Sequence, residues 1–167
     1  MSADGSLADR IADFLRDAGI RVREAPVPDD AFLPGVQVQA GEIIFDRARL
    51  AWPGDLLHEA GHIAVTPAAR RHELPALLDG HPINAPGGEI EATAWAYAAC
   101  VHLGLPASVL FHPGGYHGRS ESLVMTYSLG VHPGSAGLAA HGLTLVGEQA
   151  RERGLPPYPH MLRWLRD

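Results

Sequence analysis

Seven residues in the first half of the chain, Leu57-His58-Glu59-Ala60-Gly61-His62-Ile63, carry its most informative pattern. His58 and His62 are four residues apart, so a helix would place both imidazoles on one face as neighbours. Two neutral imidazoles in that arrangement can bind one Zn²⁺ at about 2.0–2.1 Å. Glu59 would lie about 100° around the helix from His58, too far round to be a ligand but within reach of a water on the metal. The pattern therefore predicts a metal-binding helix of the kind found in zinc hydrolases.

The residues around this pattern favour a buried helix. Pro53 can occupy the first helical turn, or Asp55 can cap the N-terminus. The helix is expected to end near Val65, before Pro67. The apolar residues that can bury it are Leu56, Leu57, Ile63 and Val65.

Composition limits the classes of function. With 167 residues, 46% of them hydrophobic and 19% charged, the chain is expected to form one domain over residues 1–167. All 13 basic residues are arginine and the net charge is −6, which argues against direct nucleic-acid binding. A single cysteine, Cys100, excludes an internal disulfide and a Cys-only zinc site. Neither a signal peptide nor a membrane span is predicted, so a cytoplasmic location is expected. A solvated face is expected of Arg151, Arg153, Arg163 and Arg166.

Hydrophobic periodicity outside the motif predicts an α+β fold. An amphipathic helix is expected over residues 7–18 and a hairpin over residues 35–45, with its turn at Gly41-Glu42. Residues 68–88 are expected to be irregular, and an Ala-rich helix follows over residues 89–103. Further helical segments are predicted over residues 120–129, 136–145, 147–153 and 161–165. The prediction is a small sheet packed on the metal-binding helix, in a core of about 7–112, with a helical C-terminal part over about 113–167.

A catalytic zinc site needs a third protein ligand and one open position. The downstream candidates are His72, Glu73, His81, Glu89, Glu91 and His102. Glu89 and Glu91 begin the second clear helix, and a helix packed on the first is the usual way to bring a rigid carboxylate to two histidines. Acids in a first helical turn also complement the helix dipole, which gives both residues a structural alternative.

Two motifs together resemble the ImmA/IrrE family of metallo-endopeptidases. They are His58-Glu59-Ala60-Gly61-His62 and Glu89-Ile90-Glu91-Ala92-Thr93-Ala94-Trp95-Ala96. Members of the family have a similar His-Glu-x-x-His helix, and then a helix with a Glu-Ala-Asn/Asp-x-Phe-Ala type of pattern that supplies the third zinc ligand. Matched residue by residue, the resemblance implies that Glu91 is the third ligand, and that Glu89 supports the ligands or replaces Glu91. It extends over about residues 7–145, although only these two motifs are specific.

The resemblance implies a zincin-like fold and a zinc-dependent endopeptidase with one Zn²⁺ per chain. Glu59 would be the general base that activates the attacking water. The substrate would be a protein or peptide, typically a helix-turn-helix transcriptional repressor whose cleavage relieves repression under stress. One alternative is a metal-containing antirepressor that sequesters a regulatory protein without cutting it. Another is a hydrolase that acts on a small molecule.

The residues that would steady the transition state or bind substrate are less clearly marked. Tyr116 and His117 lie beside Gly114-Gly115, in a predicted loop that could face a cleft. His112 and Tyr127 are further candidates for stabilising an oxyanion. Each also has a structural interpretation, as a turn residue or, for Tyr127, as a core aromatic.

Overall fold

The computed structural model describes residues 6–75 and 86–167, which form a small mixed α/β domain. Its three strands are β1 (Val22–Glu24), β2 (Val36–Gln39) and β3 (Glu42–Phe45). Its α-helices are α1 (Leu7–Asp17), α2 (Gly54–Val65), α3 (Pro86–His102), α4 (Ala107–Leu110), α5 (Ser120–Ser128), α6 (Ser135–Ala140) and α7 (Gly147–Arg153). In the described part of the chain, 3₁₀ segments cover Ala68–Glu73 and Tyr116–Gly118.

The sheet has the strand order β1-β3-β2. Strands β2 and β3 form the predicted antiparallel hairpin, with Val36 opposite Phe45. Its turn lies at Ala40-Gly41, one residue before the predicted position, and both residues have a positive φ, as tight hairpin turns require. Strand β1 pairs in parallel with β3. The predicted hairpin is therefore confirmed within a mixed sheet.

Helix α1 confirms the amphipathic prediction. Ser6 caps its N-terminus in a reciprocal arrangement with Asp9, each side chain bonding the other residue's backbone N–H. Ile11 and Leu15 are fully buried on the face that packs against the core. Burying a side chain of this size contributes about 1.5–3 kcal/mol, so the helix is held mainly by its apolar face.

Helices α2 and α3 lie at the centre of the domain and pack against each other. Most residues of α2 are buried, including Leu56, Leu57 and Ile63, as the flanking apolar sequence predicts. Trp95 of α3 is fully buried, and its indole N–H donates to the carbonyl oxygen of Trp164. One continuous core therefore joins α2 to the C-terminal part.

The C-terminal part differs from its prediction. The helix predicted over residues 136–145 ends at Ala140, and the helical turn predicted over residues 161–165 is wrong. Leu162 instead donates its N–H to the carbonyl of Leu143, and Met161 bridges Thr144. These bonds pair the end of the chain with the segment around Leu143 and Thr144 in place of the predicted helical turn. Within the described ranges, no helix is long and apolar enough to cross a membrane.

Candidate metal centre

Helix α2 presents His58 and His62 on one face, as their spacing predicts. Their Nε2 atoms are 3.3 Å apart, and the two rings meet edge to face with centroids 4.9 Å apart. His62 is buried and His58 is partly buried. The two nitrogens therefore converge on one point beside the helix.

Helix α3 brings a carboxylate to the same point. Glu89 Oε1 lies 3.3 Å from His58 Nε2, and Oε2 lies 3.1 Å from His62 Nε2. For a tetrahedral zinc ion with ligands at about 2.0–2.1 Å, neighbouring ligand atoms should be about 3.4 Å apart. The donor types and their spacings are therefore compatible with a metal ion held by these three side chains.

Glu91, the third ligand implied by the family resemblance, lies elsewhere. Its Oε2 is 3.5 Å from His141 Nε2, and its carboxylate packs beside Gly137 of α6. Residues two apart on a helix point about 200° away from each other, so only one of the two glutamates can face α2. The structure therefore corrects the assignment: Glu89, the alternative ligand, occupies the position given to Glu91.

A close contact between the two helices explains why Glu89 faces the histidines. A Cβ atom on Gly61 would lie 2.3 Å from the carbonyl oxygen of Ala92, so α2 and α3 approach closely at this point. Glu89 is three residues before Ala92, which places it on the same face of α3 one turn earlier.

Glu59 lies beside the cluster without joining it. Among the described residues its carboxylate makes no hydrogen bond or salt bridge. Burial raises its pKa, the nearby carboxylates of Glu89 and Asp55 raise it further, and His62 opposes them. An unengaged carboxylate with a raised pKa suits a group that accepts and returns a proton.

The histidines differ in their protonation. Burial and the neighbouring His62 lower the pKa of His58 to about 4, so this ring is neutral at pH 7. Burial is the largest single effect on the pKa of His62 and lowers it, but the hydrogen bond to Glu89 and the charges of Glu59 and Glu89 together raise it above its ordinary value. Burial raises the pKa of Glu89, but the hydrogen bond to His62 and the charges of His58 and His62 together lower it below its ordinary value. A neutral imidazole is the form that binds metal, so the raised pKa of His62 makes a proton compete more strongly with metal at this ring than at His58.

Comparisons of this chain with family models, curated proteins and solved structures gave no match.

Tyr116 reaches the centre and His117 does not. The hydroxyl of Tyr116 is 3.5 Å from His58 Nδ1, and its ring meets the His58 ring edge to face. Burial raises the pKa of Tyr116 well above its usual range, so the hydroxyl keeps its proton. His117 is exposed and makes no hydrogen bond or ring contact with another described residue.

The other candidate ligands lie away from the cluster. His102 packs against the rings of Phe14 and Trp164. Glu73 pairs with Arg70, and His72 is exposed. His81 lies outside the described residues.

A buried pair next to the centre was not predicted from the sequence. Asp55 Oδ1 lies 2.7 Å from His112 Nε2, and both residues are at least nine-tenths buried. The sequence offers one indication of this pair: Asp55 lies three residues before His58, about one helical turn away on the same helix. Its partner is 57 residues away in sequence, and only the fold brings the two together.

Proposed function

We propose that this chain is a zinc-dependent endopeptidase of zincin-like fold that hydrolyses a peptide bond in a protein partner. The observation that carries the proposal is the convergence of His58 Nε2, His62 Nε2 and the Glu89 carboxylate within 3.1–3.3 Å. The sheet packed on α2 and the carboxylate supplied by the next helix agree with it.

The residues of the centre have different roles in the proposed hydrolysis. His58, His62 and Glu89 would hold the ion, because two imidazoles and a carboxylate form a ligand set common in catalytic zinc sites. Zinc bound there supplies Lewis acidity, which polarises a carbonyl and lowers the pKa of water. Glu59 takes a proton from the attacking water and returns it to the leaving amine. Its freedom from other hydrogen bonds supports this role.

A protein substrate rests on the family resemblance and on the openness of the centre. The Glu89 side chain is 47% exposed, whereas His58 and His62 are 17% and 6% exposed, so the centre opens to solvent on the side of Glu89. Cavities of about 230 and 350 Å³ lie elsewhere and include none of the three ligands. An open centre suits an extended chain better than an enclosed small molecule. We propose a helix-turn-helix repressor in the cytoplasm as the partner, with the protease itself making no contact with DNA.

Metal content tests the ligand set. We expect about one zinc per wild-type chain by mass spectrometry, loss of zinc in His62→Ala, and zinc affinity at least tenfold weaker in Glu89→Gln. Glu91→Gln is the matched control and should bind zinc like the wild type. Zinc lost from Glu91→Gln but kept by Glu89→Gln would contradict the assignment.

Proteolysis is tested separately with Glu59→Gln. This variant should keep its zinc and lose about 10²-fold or more of its rate on a mixture of internally quenched peptides, because it lacks the general base. In cells carrying a repressor-controlled reporter, the variant should also fail to relieve repression. Relief that survives the substitution would favour the antirepressor alternative.

A further inference from the structure

His112 is fixed beside the metal centre from several sides. Its Nε2 lies 2.7 Å from Asp55 Oδ1, and its ring stacks on Trp52 with centroids 4.6 Å apart and planes 4° from parallel. Its carbonyl oxygen accepts a 2.6 Å hydrogen bond from the Ser120 hydroxyl. The start of the loop that follows is therefore tied to the first turn of α2.

Gly114 and Gly115, which follow His112, let the loop lie close against the rings of Trp52 and His112. A Cβ on Gly114 would be 2.3 Å from the indole nitrogen of Trp52, and a Cβ on Gly115 would be 3.2 Å from the His112 ring. The loop then passes through Tyr116 and His117 with φ of +59° and +52°. Such conformations cost about 1–2 kcal/mol for residues other than glycine, so neighbouring contacts must hold them.

Those contacts direct Tyr116 onto one nitrogen of His58. The Tyr116 ring packs edge to face on Phe111, with centroids 5.3 Å apart, and its hydroxyl lies 3.5 Å from His58 Nδ1. The other nitrogen of His58, Nε2, faces Glu89. The hydroxyl therefore contacts the metal-binding histidine on the nitrogen that does not face the other ligands.

Asp55, which holds the loop through His112, and His58, which Tyr116 contacts, lie on the same helix, α2. Asp55 and His58 are three residues apart on α2, so the path from Asp55 through His112 and Tyr116 returns to the same helix. A shift of the loop would break either the bond to Asp55 or the contact with His58.

We propose that Tyr116 is a positioning residue that accepts a hydrogen bond from the Nδ1–H of His58, and that the Asp55–His112 pair holds it there. The bond selects the tautomer that leaves the Nε2 lone pair free for the metal. This inference rests on the metal centre of the proposed function. In this role Tyr116 orients the metal ligand His58, and it does not bind substrate or stabilise the transition state.

Zinc affinity of the full chain, measured by competition with a chromogenic chelator, tests the role of Tyr116. Tyr116→Phe keeps the packed ring and removes the hydroxyl, and should weaken zinc binding by about tenfold or more. Tyr127→Phe is the matched control, because its hydroxyl donates to the Pro133 carbonyl at 3.1 Å and touches neither histidine. It should bind zinc like the wild type.

Variants of His112 and Asp55 test whether this pair holds Tyr116 in place. His112→Asn should weaken zinc binding as much as Tyr116→Phe, and the double variant should be no weaker than either, because both act along one path. Asp55→Ala removes the partner of His112 Nε2 and should weaken zinc binding as much as His112→Asn, and Asp55→Asn, which keeps an acceptor oxygen, should recover most of that affinity. Thermal unfolding of the metal-free proteins separates weakened binding from loss of the fold.

The outcomes separate this inference from the proposed function. Zinc affinity of Tyr116→Phe within twofold of the wild type would overturn the inference, whether or not peptide hydrolysis is lost. A wild type that binds zinc but hydrolyses no peptide, with Tyr116→Phe weakened, would overturn the endopeptidase and support the inference. A wild type that binds no zinc would overturn both.

Discussion

The two ends of α2 are stabilised in different ways. At the C-terminal end, the carbonyls of Ile63, Ala64 and Val65 accept hydrogen bonds from Arg71 Nε, Arg166 N and Arg166 Nη1 at 3.0–3.2 Å. The N-terminal end has no side-chain cap. There Asp55 is buried in the first turn and pairs with His112.

The difference separates an end whose hydrogen bonds add stability from an end that contains unsatisfied buried groups. Guanidinium groups at the C-terminal end satisfy free carbonyls and complement the negative end of the helix dipole, so they add stability directly. At the other end, Asp55 Oδ2 and His112 Nδ1 are buried and have no partner among the described residues. Unsatisfied buried polar atoms oppose folding. A pair with this cost is better explained by the loop that it orients than by stability.

Breaking the N-terminal pair should have the largest effect on stability. His112→Ala leaves the Asp55 carboxylate buried without a partner and removes the stacking on Trp52. We expect a loss of about 3–5 kcal/mol in the free energy of unfolding, measured by urea denaturation.

The double variant Asp55→Ala/His112→Ala is the control for this effect. It removes both buried polar groups, so its loss should be smaller than the sum of the two single losses. Additive losses would show that Asp55 and His112 do not act as a pair. The N-terminal end of α2 would then not differ from the C-terminal end in the way described above.

Removing a guanidinium at the C-terminal end should have a smaller effect. Arg71→Ala loses the bond to the Ile63 carbonyl and the bond from Nη2 to the Arg166 carbonyl. We expect a loss of about 1–2 kcal/mol in urea denaturation. Arg71→Lys should recover only part of it, because an ammonium group lacks the planar fork that reaches both carbonyls. Full recovery with lysine would mean that charge alone stabilises this end.

A single neutral hydrogen bond at the C-terminal end should have the smallest effect. The buried Thr66 hydroxyl donates to the His62 carbonyl at 2.7 Å. Thr66→Val should lower stability by about 1 kcal/mol and leave zinc affinity unchanged, and Thr66→Ser should retain the bond. A tenfold change in zinc affinity for Thr66→Val would show that this end also positions the centre.

Local patterns were enough to predict the elements that carry the site. The spacing of His58 and His62, with apolar neighbours, predicts α2, and its C-terminal end falls at Val65 as expected. Alternation over residues 35–45 predicts the hairpin. These signals depend on neighbours within one or two turns, which a sequence displays directly.

Features that depend on tertiary packing were missed. The choice between Glu89 and Glu91 is set by the side of α3 that meets α2, and a motif match does not contain that information. Asp55 and His112 are joined only by the fold. Arg166, expected in a solvated cluster, instead donates to the Val65 carbonyl at the end of α2, because residues 161–165 do not form the predicted helical turn.

The close approach at Gly61 limits how this centre can change. The motif His-Glu-x-x-His leaves two positions unspecified, yet in this chain the second cannot carry even a methyl group without meeting the Ala92 carbonyl. A larger residue there would separate the two helices and move Glu89 away from both histidines. Transferring the motif to another scaffold would therefore require transferring the spacing between the helices as well. The unit that would have to be transferred is the pair of helices α2 and α3, because the five-residue motif alone does not set the position of Glu89.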